Sequence, residues 1–155
     1  MDSQQLRDLI RRVLKQANLI KYEDEREIEL LMLTAAVESN LGQYIRQKGG
    51  GPALGIFQME PETEEDLCRN YIDYRPELGC LVEDWTGSVF REDELEWNLA
   101  YQILMARIHY LRKPEKIPAA DDVEGLAIYW KNHYNSYLGK GTVIKAIKKY
   151  NKYVK

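Results

Sequence analysis

The sequence predicts a mainly α, single-domain protein, and three observations predict it. Apolar residues recur every three to four positions along almost the whole chain, which is the period of an amphipathic helix. With 155 residues, 45% hydrophobic and 30% charged, the chain has the length and composition of one globular domain with its own core, and not those of a disordered segment. No run alternates apolar and polar residues as a half-buried strand does, and there are no internal repeats or low-complexity tracts, although the loops have room for a small β element.

Taken in order, Leu6, Ile10, Val13, Leu14 and Ala17 form one stripe, with Ser3 placed to cap the first helix. A second helix is expected from about Asp24 to Ser39. Glu23, Asp24 and Glu25 suit the positive end of its dipole. Its last third, from Leu31 to Val37, is apolar all round, which marks a central, buried helix. Gly49, Gly50 and Gly51 before Pro52 then make a loop or tight turn. A short helix is expected after Pro61, a residue well suited to a first helical turn. Residues 73–90 hold Pro76, Gly79 and Gly87 without a clear period, an irregular or short-helix insertion. From Glu92 to Arg112 the helical period returns in Leu95, Leu99, Ile103, Ala106 and Tyr110, and Pro114 stops it. Asp121 or Asp122 caps a further helix to about Tyr134, and Thr142 caps the last.

A formal net charge of −3 argues against nucleic acid as the partner of the whole chain. Acids concentrate between Glu62 and Glu96, and lysines at the end (Lys140, Lys145, Lys148, Lys149, Lys152, Lys155); both read as solvated faces. Cys68 and Cys80 are too few for a disulfide framework and lack zinc spacing, so they either pair or serve as small buried residues. The start lacks the basic and apolar regions of a secretory leader, so no signal peptide is expected. No apolar run approaches the ~20 residues of a membrane span, so no membrane partner is expected. His109 and His133 lack triad or metal spacing and read as structural or surface residues. Lys48-Gly-Gly-Gly-Pro52 lacks the strand and spacing of a phosphate loop. No metal or cofactor is expected.

Glu38 is the candidate catalytic residue. It sits at the C-terminal end of the apolar helix, just before the glycine loop. Apolar neighbours and the negative end of the helix dipole both favour its protonated form, and a raised pKa is what a general acid needs near neutral pH. The plain alternative is that the side chain reaches solvent where the helix frays.

Two further blocks accompany it. Ala36-Val-Glu-Ser-Asn40 followed by Gly55-Ile-Phe-Gln-Met-Glu-Pro-Glu-Thr63 resembles two signature blocks of the lytic transglycosylases, relatives of goose-type lysozyme. Tyr134-Asn135, with Gly139-Lys-Gly-Thr142 behind it, resembles a third block with a longer spacing, and Tyr129-Trp130 competes for the same match. Asn98-Leu-Ala-Tyr-Gln102 falls where the family has its core helix. The resemblance spans about residues 30–142. Two features depart from the family pattern: Phe57 stands where methionine is usual, and residues 68–92 look like an insertion.

The resemblance implies a lysozyme-like domain that cleaves the glycan strand of bacterial peptidoglycan between N-acetylmuramic acid and N-acetylglucosamine. Glu38 would protonate the glycosidic oxygen and then, as a carboxylate, accept the proton of the muramic C6 hydroxyl as a 1,6-anhydro ring closes. Ser39 and Gln58 would bind acetamido groups or orient the glutamate, and Phe57 and Met59 would flank the sugars. Tyr134 would steady Glu38 or a sugar ring, and Asn135 would place the following loop. Tyr44, Phe57, Tyr129 and Trp130 would offer aromatic faces to the glycan, unless they belong to the core. A hydrolysing, goose-type lysozyme is the alternative within the fold. It would need Glu60, Glu62 or Asp66 to hold a water, with Glu60 the first candidate as second carboxylate. A non-catalytic peptidoglycan-binding or virion structural domain is the alternative outside enzymes. The missing leader suggests a phage or prophage protein. It would be a monomer made in the cytoplasm and reach the periplasmic wall after release or delivery of the phage kind.

Overall fold

A computed structural model describes residues 1–86, 91–135 and 141–155, and its fold is mainly α, as the periodicity predicts. Among the described residues eight α-helices follow one another: α1 (Ser3–Gln16), α2 (Arg26–Ser39), α3 (Pro61–Asn70), α4 (Pro76–Trp85), α5 (Arg91–Trp97), α6 (Leu99–Leu111), α7 (Val123–His133) and α8 (Val143–Tyr153). A 3₁₀ turn at Ile72–Tyr74 joins α3 to α4.

The two helices that are apolar all round form the centre. In α2, Ile28, Leu30, Leu31, Met32, Leu33, Ala35 and Ala36 are all buried, and α1, α6, α7 and α8 pack around it. In α6 every residue from Tyr101 to Ile108 is buried. The stripe of α1 (Leu6, Ile10, Val13, Leu14) closes one side of the same core. Such close packing makes α2 a rigid base for whatever its C-terminal end carries.

Several boundaries differ from the sequence reading, each for a local reason. Asp2, not Ser3, caps α1, its carboxylate accepting from Gln5 N at 2.9 Å. α2 starts at Arg26, because Glu25 adopts a left-handed conformation at its cap position. In the first turn, buried Glu27 accepts from the backbone amides of Lys21 and Tyr22 and lies 3.8 Å from Arg107, which folds residues 17–25 back onto the core. The helix expected over 92–112 is two. Asn98 takes extended backbone between α5 and α6 and caps the second, accepting from Tyr101 N at 3.0 Å while its amide donates to Trp85 O. Part of the insertion is an ordered ten-residue helix, α4; residues 87–90 lie outside the described residues. Asp122 caps α7 and Thr142 caps α8. Cys68 and Cys80 form no disulfide; the first is buried and the second exposed.

The β content among the described residues is two isolated antiparallel bridges, Arg46 with Leu54 and Leu54 with Met59. They fold residues 46–59 into a small β-like loop beside the end of α2. None of the described helices is long and apolar enough to cross a membrane.

Candidate active site

The C-terminal end of α2 opens into a cleft of about 790 Å³, and Glu38 lies in it. Free carbonyls at a helix end need partners, and here those of Val37, Glu38 and Ser39 find them. The ammonium of Lys149 donates to Val37 O at 2.8 Å, and the Tyr44 hydroxyl donates to Glu38 O at 2.7 Å. Gln43 N donates to Ser39 O at 2.9 Å, and Leu41 N to Ala35 O at 2.9 Å. The backbone that carries Glu38 is therefore fixed rather than frayed.

The Glu38 side chain is half-buried, and the indole N–H of Trp130 donates to its Oε1 at 2.9 Å. Burial pushes its pKa up from 4.5 to about 7, against the smaller opposing effects of that hydrogen bond and of the Lys149 charge. Indole is a donor only, so Oε1 must accept. The acid proton then belongs on Oε2. A carboxylic acid poised near neutral pH in a cleft can act as general acid and, once it has given up its proton, as general base.

Gln58 and Met59, in the turn formed by residues 55–59, line the same cleft, and both neighbouring segments hold that turn. Ser39 Oγ donates to Ile56 O at 2.6 Å, and Tyr134 Oη donates to Phe57 O at 2.7 Å. From α6, Gln102 Oε1 accepts from Ile56 N at 2.9 Å. Gly55 has φ +77°, and a Cβ there would sit 2.3 Å from Leu95 O and 2.5 Å from Gln102 Oε1, so only glycine fits. Gln58 is left-handed at φ +47°, a conformation uncommon for a residue with a side chain, and its amide donates to Gly55 O at 2.8 Å.

The structure gathers Glu38, Gln58, Met59, Glu60, Tyr134 and Asn135 around this cleft. It does not bring every candidate there. Ser39 is fully buried; its hydroxyl donates to Ile56 O and accepts from Gly42 N at 2.8 Å, which makes it a tie between segments and not a sugar ligand. Phe57 is 2% exposed and packs in the core, so the expected contact between its ring and a sugar is corrected. Tyr129 is also a core residue, its hydroxyl donating to Glu115 O at 2.9 Å. Of the three acids proposed to hold a water, Glu60 alone lines the cleft; Asp66 instead pairs with Arg112 at 2.6 Å. Gly139 of the third block lies outside the described residues. Gly141 does line the cleft, and a Cβ on it would meet the Trp130 ring at 2.5 Å.

Four residues gain a place that the sequence reading did not give them. Trp130, read as a groove aromatic or core residue, is fully buried and is the partner of Glu38. Lys145 and Lys149, read as a solvated face, line the cleft. Their i, i+4 spacing on a helix is the signal that could have placed them on one face. His109 is another wall residue, meeting the Tyr134 ring edge-on with centroids 5.0 Å apart. Its Nδ1 is buried without a hydrogen-bond partner, and burial, helped by Lys113 and Arg112, pushes its pKa down to about 4. Among the described residues no group of three or more His, Cys, Asp or Glu is placed to hold a metal ion.

Comparison with protein-family models, with curated proteins and with solved structures finds no match to this chain.

Proposed function

We propose that this protein is a lytic transglycosylase that cleaves the glycan strand of bacterial peptidoglycan, with Glu38 as its catalytic acid and base. The observation that carries the reading is a carboxyl at the end of a buried helix, held by an indole N–H in a cleft of about 790 Å³, where burial raises its pKa to about 7. The ties from Ser39 and Tyr134 to successive carbonyls of the 55–59 turn support it, because they join the three segments that resemble the family's blocks.

In this mechanism Glu38 Oε2–H gives its proton to the oxygen between N-acetylmuramic acid and N-acetylglucosamine. The C–O bond breaks as positive charge develops at the anomeric carbon. The resulting carboxylate takes the proton of the muramic C6 hydroxyl, whose oxygen closes on the anomeric carbon to form the 1,6-anhydro sugar. Glu38 ends protonated, as it began. Both reacting groups belong to one sugar, so the ring closure is intramolecular and gains the advantage of held geometry.

A second reading is favoured by Glu60, which lines the same cleft. A second carboxylate there would position a water, and the outcome would be hydrolysis, as in glycosidases that use two acids.

Digestion of purified peptidoglycan followed by mass spectrometry separates the two. Products one water lighter than hydrolytic fragments, absent with Glu38→Gln, support transglycosylation. Reducing ends that disappear in Glu60→Gln as well as Glu38→Gln support the lysozyme reading. No cleavage of any wall type by the wild type would reject both and leave a binding or structural domain.

A further inference from the structure

Although the chain carries a net charge of −3, three lysines line its cleft beside Glu38 and Glu60. Lys145 and Lys149 stand one turn apart on α8, and Lys48 comes from the glycine loop, its ammonium 4.5 Å from the centre of the Tyr44 ring. No carboxylate of the described residues lies within ion-pair distance of any of the three, whereas Arg7, Arg11, Arg26, Arg46, Arg69, Arg107 and Arg112 each have one. Lys149 spends one of its three donors on Val37 O and keeps the others for the cleft. Two lysines at i, i+4 repel each other, and an anion between them relieves the repulsion. The remaining lining includes three amides, Gln47, Gln58 and Asn135.

We infer that Lys145, Lys149 and Lys48 form an anion-reading wall that selects glycan strands whose sugars carry a carboxylate substituent. The inference rests on the proposed function and specifies the form of its substrate. Amides suit the hydroxyl and acetamido groups of a sugar, and the lysines suit a carboxylate beside them. A volume of about 790 Å³ falls in the ~300–1,000 Å³ range of small-ligand sites, which suits a few sugar rings. Glu38 and Glu60 in the same lining oppose a strand that carries a phosphate at every residue, so a nucleic-acid strand fits less well. The carboxylate belongs either to the lactyl ether of the muramic sugar or to the peptide stem attached there.

The test measures binding to the full chain carrying Glu38→Gln, which keeps substrate intact, alongside cleavage by the wild type. The probes are peptide-free glycan strands, peptide-bearing strands, and both again after their carboxyls are converted to methylamides. The native strands should bind about tenfold tighter than the amidated ones, and adding Lys145→Met should shrink that ratio roughly threefold or more, with Lys48→Met acting in the same direction. Lys15→Met, on α1 away from the cleft, should leave the ratio and the cleavage rate unchanged. A preference kept on peptide-free strands assigns the lactyl carboxylate; one seen only on peptide-bearing strands assigns the stem. Equal binding of native and amidated strands overturns the inference. Tighter binding of a single-stranded oligonucleotide than of any glycan strand overturns it in favour of nucleic acid. Charge-dependent glycan binding without cleavage by the wild type upholds the wall and overturns the enzymatic reading.

Discussion

Trp130 donates its indole N–H to Oε1 of Glu38 across 2.9 Å, linking the middle of α7 to the end of α2. Because the ring is fully buried, the donor cannot swing away, and the carboxyl is held in one orientation. The contact does two opposed things. It stabilises the carboxylate, holding the pKa below the value that burial alone would set, and it confines the proton to the oxygen that is left.

Removing that donor should therefore make Glu38 a weaker acid. Trp130→Phe is expected to move the Glu38 titration above about 7, and the alkaline limb of kcat/KM with it. Loss of indole volume should also cost about 1–3 kcal/mol of stability. A pH–rate profile, or carbon NMR of a labelled Glu38 carboxyl, reads the shift directly. An unmoved titration would mean that the contact contributes packing alone.

Glu38 and His109 should pull the stability of the fold in opposite directions with pH. Glu38 titrates near 7 when folded and near 4.5 when unfolded, so the folded state binds more protons between those values. Stability is full below 4.5 and falls as pH rises, by roughly 3 kcal/mol once above 7. His109 titrates near 4 when folded against 6.5, so its contribution is present above 6.5 and lost as pH falls towards 4. Glu38→Gln should match the wild type near pH 4 and exceed it at pH 8, while His109→Phe should gain on the wild type as pH falls from 6.5 to 4.5. Denaturant unfolding of the three proteins across this range measures both slopes. Parallel curves would contradict the assignment.

The fold was legible in the sequence where one signal dominated. The α2 stretch that is apolar all round named the central helix, and Pro61, Pro114, Asp122 and Thr142 each mark a boundary through their own local chemistry. The break at Asn98 was hidden, because the apolar period runs straight through it and only the side-chain bonds to Tyr101 N and Trp85 O interrupt the helix. For the site, a glutamate ending a buried helix was visible, but its partners were not. Trp130 and Lys149 are 92 and 111 positions away in sequence, and an aromatic or a lysine at helical spacing is ordinarily core or surface. Ser39 shows the reverse error. Its place beside Glu38 suggested a ligand role, but at 3.6 residues per turn the next side chain points elsewhere, here into the core.

That burial gives Ser39→Ala a distinctive outcome. The change leaves Ile56 O and Gly42 N without their partner, which should cost about 1–3 kcal/mol of stability. Glycan affinity, measured in the Glu38→Gln background, should stay within about twofold because no sugar touches the hydroxyl. A large loss of affinity at unchanged stability would return Ser39 to the binding site.

Two glycines of the same region separate conformational strain from steric exclusion. Gly49 has φ +86° and open space where a Cβ would go, so Gly49→Ala meets the left-handed penalty alone, about 1 kcal/mol. Gly55 has nearly the same φ, +77°, but its Cβ would overlap both Leu95 O and Gln102 Oε1. Gly55→Ala must therefore push the loop off α5 and α6 and break the Gln102–Ile56 hydrogen bond, for a total cost of roughly 3–5 kcal/mol. The displaced turn carries Phe57 O and Gln58, so Tyr134 loses its acceptor and the cleft lining at Gln58 is disordered with it. Thermal unfolding of the two variants, with cleavage measured well below either midpoint, should show near-wild-type rates for Gly49→Ala and at least a tenfold loss for Gly55→Ala. Equal effects of the two substitutions would mean that Gly55 is held only by its backbone angle and that the contact with α5 and α6 does not position the site.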